Sequence, residues 1–228
     1  MTIFPQRIET LREEIARLEG KSRPQKTPAI PSGWPALDAI LPQKGFRGGT
    51  LVEWLADGEG TGVATLALQA ACRACRLGGG LVVVDRSREF YPPAAARLGI
   101  EPDRLIVVYP ANKADHDWAL DQSLRSGAVA ATVAWPDARG GRLDGRTFRR
   151  LQLAAEEGGG LGLLIRPAAA RPLASWADVR LLVEPVPNSR GCISAVRRCR
   201  VLLLRCRGGS GDRFVNVEID DETHPVFN

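Results

Sequence analysis

The sequence predicts an α/β fold: a mostly parallel central sheet ending in an antiparallel meander, preceded by an N-terminal helix. Three observations predict it. Short apolar runs alternate with helix-like segments between Thr50 and Ile165. One of those runs, Gly80–Asp85 (GLVVVD), is apolar almost throughout, as a strand buried on both faces of a parallel sheet would be. After Trp176 the helical pattern stops and three strand-like runs follow directly on one another, which suits hairpin connections. The length of 228 residues fits one large domain with a short appendage.

Taken in order, Pro5–Glu19 reads as a helix. Ile8, Leu11, Ile15 and Leu18 recur at alternating spacings of three and four, a coiled-coil seam, and the remaining positions are mostly charged. So short a helix is not stable alone, because nucleation is costly. It must dock on its own domain, on a sister protomer or on a partner. The stretch that follows carries Pro24, Pro28 and Pro31 and reads as a linker. The expected organisation is therefore a helix over 1–20, a linker over 21–31 and a core domain over 32–228. Within the core the pattern predicts strands at Thr50–Ala56, Gly80–Asp85, Arg104–Tyr109, Val129–Trp135 and Gly160–Ile165. Helices are predicted at Thr65–Leu77, Pro92–Leu98, Asp115–Arg125 and Gly145–Glu157. The meander is predicted at Val179–Pro185, Arg200–Arg207 and Phe214–Ile219, with a turn at Gly208–Gly211.

Between the first core strand and its helix lies Asp57-Gly58-Glu59-Gly60-Thr61-Gly62-Val63-Ala64. A phosphate-binding loop of the form G-x-x-x-x-G-K-[ST] belongs at this place. It needs a first glycine for the turn, a lysine for the β/γ-phosphates and a hydroxyl for Mg²⁺. Those positions hold Asp57, Val63 and Ala64. Gly58 and Gly62 remain, Thr65 stands one residue past the metal position, and Asp57 would repel phosphate. No bound nucleotide and no cofactor are expected, although a helix N-terminus by itself still attracts anions.

The net charge is +5, carried mainly by arginine, and the arginines crowd the second half of the chain. That fits a nucleic-acid or acidic partner, and it equally fits a base composition that favours arginine codons. No apolar run reaches the length of a membrane-spanning helix, and Met1–Arg17 lacks a secretory apolar core, so a cytoplasmic protein is expected. Five cysteines are scattered without a disulfide pattern. Cys72 and Cys75 form a C-x-x-C without a second pair, so buried thiols are the ordinary reading and no metal is expected. His116 and His224 have no nucleophile partner, and no catalytic residue is assigned.

The segment Ile30-Pro-Ser-Gly-Trp-Pro-Ala-Leu-Asp-Ala-Ile-Leu resembles the entry to the RecA-like recombinase core, I-x-[ST]-G-x-x-x-L-D-x-x-L. The order continues through Gly45 and Gly48 or Gly49, Val83-Val84-Asp85, Ala95-Ala96-Arg97-Leu98-Gly99-Ile100 and Ser126-Gly127-Ala128-Val129. The resemblance implies a RecA-like core, and on that frame further catalytic positions are lost. The water-orienting acid falls at Ser87, the strand-ending aspartate at Trp135 or Pro136, and the γ-phosphate-sensing glutamine at Arg166 or Pro167. Phosphoryl transfer depends on positioning and charge neutralisation, so little would remain for it here.

The degenerate core, the charged leading helix (Leu11–Glu19) and the tail Arg205-Cys-Arg-Gly-Gly followed by Val217-Glu-Ile-Asp resemble the ImuA family, RecA-like accessory proteins of SOS-induced mutagenic translesion synthesis that are sometimes described as SulA-like. That resemblance implies a non-hydrolysing scaffold assembling with a Y-family-like ImuB subunit and an error-prone C-family polymerase. RecA, single-stranded DNA and a second copy of the chain are further candidate partners. Interface candidates are Ile8, Leu11, Ile15, Leu18, Arg205 and Arg207. Recombinases hold DNA with two loops, which would lie here near Asp137–Asp144 and between Ile165 and Ala177. Arg139, Arg142, Arg166 and Arg171 are the corresponding DNA-contact candidates, against the alternative of solvated loop charge. Trp135 and Trp176 are each read as core residues or as base-stacking platforms. The rival functions are a DNA-stimulated ATPase with a noncanonical loop, a regulator of RecA filaments and a division inhibitor of the SulA type.

Overall fold

The computed structural model describes residues 28–137, 142–187, 196–209 and 211–220. The helix expected over 1–20, with Ile8, Leu11, Ile15 and Leu18, lies outside the described residues, as do most of the linker and Arg139. In chain order the elements are α1 (Pro35–Ile40), β1 (Leu51–Ala56), α2 (Val63–Cys75), β2 (Gly80–Val84), α3 (Pro92–Arg97), β3 (Leu105–Val108), α4 (Lys113–Arg125), β4 (Val129–Ala134), α5 (Gly145–Gly158), β5 (Leu161–Pro167), β6 (Val179–Val186), β7 (Val196–Cys206) and β8 (Arg213–Asp220).

All eight strands form one sheet in the order β3-β2-β4-β5-β1-β6-β7-β8. Every pairing from β3 to β6 is parallel, and β6–β7 and β7–β8 are antiparallel. The predicted mostly parallel sheet ending in an antiparallel meander is therefore the observed one. Strand β7 starts four residues before the sequence pattern suggested, at Val196. Its arginines hid the alternation: Arg198 and Arg200 face solvent while Cys199 and Val201 are buried, the period-2 pattern of a one-sided strand.

Helix α2 explains how the layers close. Every one of its residues except Arg73 is buried. A helix apolar all round needs cover on both sides. The sheet supplies one side. Leu37 and Leu41 at α1 and Val217 and Ile219 of β8 supply the other, in the same core cluster as Leu66, Leu68, Val83 and Leu163. Helices α4 and α5 pack on the opposite sheet face around Leu120, Leu124, Phe148 and Leu151.

The entry motif has a physical role. Ile30 exchanges backbone hydrogen bonds with Phe46 at 2.7 and 2.8 Å. The Asp38 carboxylate accepts from Ser32 N–H at 2.8 Å. Gly33, at φ 98°, lies so close to α2 that an added Cβ would fall 2.4 Å from Gln69 Cγ. Packing thus includes Ile30, two residues before the expected core boundary. At the far side of the sheet, Ile106 of edge strand β3 is 59% exposed.

Candidate functional site

The degenerate loop sits where it was expected, between the carboxyl end of β1 and the amino end of α2. The helix begins two residues earlier than predicted, so Val63 and Ala64 form its first turn and Gly62 is its N-cap, at φ 76°. Asp57 N–H donates to Val183 O at 3.0 Å, which anchors the loop to β6. Asp57 to Gly60 are exposed, whereas Thr61, Gly62, Val63, Ala64 and Thr65 are buried.

Two side chains of the meander lie against the loop. Ile219 of β8 packs directly on Gly62, with its Cδ1 2.4 Å from where a Cβ would stand. Arg197 of β7 donates to Gly60 O at 3.4 Å. They reach the loop because β7 and β8 extend past the end of β1, with Val196 paired to Asp220. The Val63 N–H, which would face a bound phosphate, is turned to Thr61 Oγ1 at 3.4 Å. An apolar side chain over the anion cradle and valine in place of lysine leave little attraction for a phosphate.

Around the other lost positions, Ser87 and Trp135, side chains do structural work. Asp85 is 2% exposed. Its two oxygens accept from the N–H groups of Ser87, Arg88, Glu89 and Phe90 at 2.8 to 3.0 Å, so it shapes the loop after β2. Trp135 packs on the core at its margin.

Arg166 requires a correction. It was a DNA-contact candidate, but its side chain is fully buried, with Nη1 2.6 Å from Glu53 Oε1 and Nε 2.7 Å from Asp137 Oδ2. Its guanidinium lies 5.7 Å from the Phe148 ring centre. Arg180 Nε approaches the second Glu53 oxygen at 2.6 Å, and its Nη1 and Nη2 donate to the carbonyls of Arg171 and Ala170, each at 2.8 Å. This network ties β1, β5, β6 and the segment after β5 together, and it removes Arg166 from any DNA surface. The unassigned signal in the sequence was a lone charge in each of two otherwise apolar strands, LVEWLA and LGLLIRP.

The remaining candidates are scattered. Arg142 and Arg171 are exposed on different segments. Arg205 donates to the carbonyls of Ser175 at 3.0 Å and Ala177 at 2.6 Å. Arg207 pairs with Glu156 at 2.7 Å and Asp178 at 3.3 Å. Trp176 is 47% exposed and so is not a core residue. Its backbone bends across the sheet end where Asp178 N–H meets Leu51 O at 2.8 Å.

Burial pushes the Cys75 and Cys199 thiols up to about 11, so neither is a thiolate near neutral pH. Among the described residues, no three His, Cys, Asp or Glu side chains are grouped to hold a metal. No helix among them is long and apolar enough to cross a membrane.

Comparison with known proteins adds a family. The model of the RecA N-terminal domain matches residues 8–136. The chain is 32% identical over 202 residues to Protein ImuA of Caulobacter vibrioides, covering 80% of each chain. It is 37% identical over 104 residues to Protein RecA of a Nocardioides species, covering 46% of this chain and 29% of that protein. A mitochondrial DNA repair protein, a recA homolog of Dictyostelium discoideum, is 33% identical over 119 residues, or 52% of this chain and 26% of that one.

Proposed function

The chain belongs to the ImuA family of RecA-like proteins, and from that premise we propose that it is an accessory protein of DNA-damage-induced mutagenic translesion synthesis. It acts without hydrolysing nucleotide, as a scaffold that assembles with an ImuB-like polymerase subunit and an error-prone C-family polymerase. The observation that carries the non-hydrolysing part is the covered loop. Ile219 and Arg197 lie over Gly60–Gly62, and valine and alanine hold the lysine and hydroxyl positions. Function then rests on surfaces: the N-terminal seam of Ile8, Leu11, Ile15 and Leu18, and the exposed face of the meander.

Removing the tail from Val201 onward would not probe the meander surface, because Val201, Leu203 and Ile219 are fully buried. Arg205 and Arg207 are engaged within the chain, which makes the neighbouring exposed pair Arg200–Phe214 the better probe. The Arg200 guanidinium stands 5.0 Å from the Phe214 ring centre. In a pull-down with the ImuB-like subunit, removal of residues 1–20 or the double change Arg200→Glu, Phe214→Asp is expected to abolish retention. Full retention by both variants would refute the surface assignment.

A further inference from the structure

We infer that the chain binds single-stranded nucleic acid in a groove between α5 and the segment 174–178, with Trp176 as a base-stacking platform and arginines as phosphate contacts. The inference goes beyond the proposed scaffold role and depends on no partner protein. The groove, about 640 Å³, is lined by Arg149, Gln152, Ser175, Trp176, Arg205 and Arg207 among others. A second concavity of about 540 Å³, lined by Arg47, Gly48, Gly49 and Thr50, adjoins it across Asp178 and Arg207. Both lie at the amino ends of β1 and β6. The recombinase-type DNA loops would start from the carboxyl ends of β4 and β5, and the second was expected to run as far as Ala177, so the groove takes only the far end of that segment, where it has crossed to the opposite edge of the sheet.

Three features favour an unpaired nucleotide chain. The first is the indole. It is 47% exposed, and the Arg149 guanidinium is held 4.9 Å from its ring centre, so an aromatic face and a cation stand side by side. Bases stack on such platforms irrespective of sequence, and a base inside a duplex cannot.

The second is basic charge. Arg149 donates to the neutral Gln152 Oε1 and lies near enough to Glu156 to act on its carboxylate. Arg205 donates to backbone carbonyls, and Arg207 pairs with Glu156 and Asp178, so three arginines face two carboxylates. Arg146 stands one turn before Arg149 on α5, and both are exposed, which extends the basic track along the helix.

The third is preorganisation. The two bonds from Arg205 to Ser175 O and Ala177 O bracket Trp176, and Ser175 Oγ accepts from Ala177 N–H at 3.2 Å. The platform is thus fixed before a ligand arrives, which lowers the ordering cost of binding.

The test is fluorescence anisotropy of the full chain with labelled oligothymidylate, over a range of salt concentrations, beside a labelled duplex and a labelled polyglutamate peptide. The parent is expected to bind the single strand more tightly than the duplex. Trp176→Ala is expected to weaken binding about fivefold or more, and Trp176→Phe to restore most of it. Arg149→Gln should flatten the salt slope by about 0.7. The half-exposed indole leaves Trp176→Ala folded, which an unchanged melting temperature checks, and the Trp176→Phe arm does not depend on that check. Equal binding by the parent and Trp176→Ala would overturn the inference. So would binding of polyglutamate alone, which would make the groove a site for an acidic protein segment.

Discussion

Arg166 holds the most consequential contacts of any single side chain. It joins buried Glu53 to Asp137, and removing it takes that partner from Asp137 and leaves Glu53 with Arg180 alone. Arg166→Met is expected to cost about 3 to 5 kcal/mol of stability, read from the urea midpoint. Changing Glu53 and Arg166 together to apolar residues should cost less than the Arg166 change alone, because no buried Glu53 charge is left behind. Asp144, the N-cap of α5, makes a pH-dependent contribution. Its carboxyl is held below the ordinary value of 3.8, first by the Thr147 N–H and then by the Thr147 hydroxyl, at 2.9 and 3.0 Å. A folded value below the unfolded one stabilises at pH above about 3.8 and is lost as pH falls through the folded value. Protection of the Thr147 amide from exchange, relative to the intrinsic rate at each pH, should therefore fall on acidification in the parent, and much less in Asp144→Asn, whose neutral amide still caps. The loss of the phosphate-loop lysine was legible at this scale because Val63 stands at one fixed position of a known pattern. The Glu53–Arg166 pairing was not, because it joins residues far apart in sequence.

Among the elements, the β7–β8 hairpin decides the fate of the loop. Its end overhangs β1, and Ile219 occupies the space above Gly62. Ile219→Ala removes a fully buried side chain and is expected to cost about 2 to 5 kcal/mol, measured by urea unfolding. The cover also predicts that restoring the loop's side chains is insufficient. The double change Val63→Lys, Ala64→Thr should bind no fluorescent ATP analogue, whereas tight Mg²⁺-dependent binding would mean that the hairpin end yields. The sequence disclosed the strand–loop–helix order well. It under-read the start of β7, where arginines interrupt an alternation that only the one-sided burial of the strand explains. Nothing in local pattern could signal that β8 reaches the loop, because that contact depends on the length of β7 and β8 beyond β1.

For the whole molecule, a parallel sheet closed by a meander was legible from hydrophobic periodicity alone, since its strands are short, apolar and separated by helical segments. The RecA-like identity rested on ordered motifs, and the structure gives one of them a mechanical reason: Ser32, Gly33 and Asp38 lock the entry onto α2. Of the two readings of Trp176, core packing is the one its 47% exposure excludes, although an aromatic near a strand end is usually packed. Here the chain bends around the sheet margin and leaves its ring in solvent. The proposed function requires that this fold work through its surfaces with no nucleotide cycle. The most direct measurement is capture of the full chain by the ImuB-like subunit, with and without ATP and Mg²⁺, with phosphate release followed in the same samples. Equal capture in both conditions is expected, with no phosphate release above background, with or without single-stranded DNA. Capture that requires ATP, or phosphate release that disappears on changing Thr65, would contradict it.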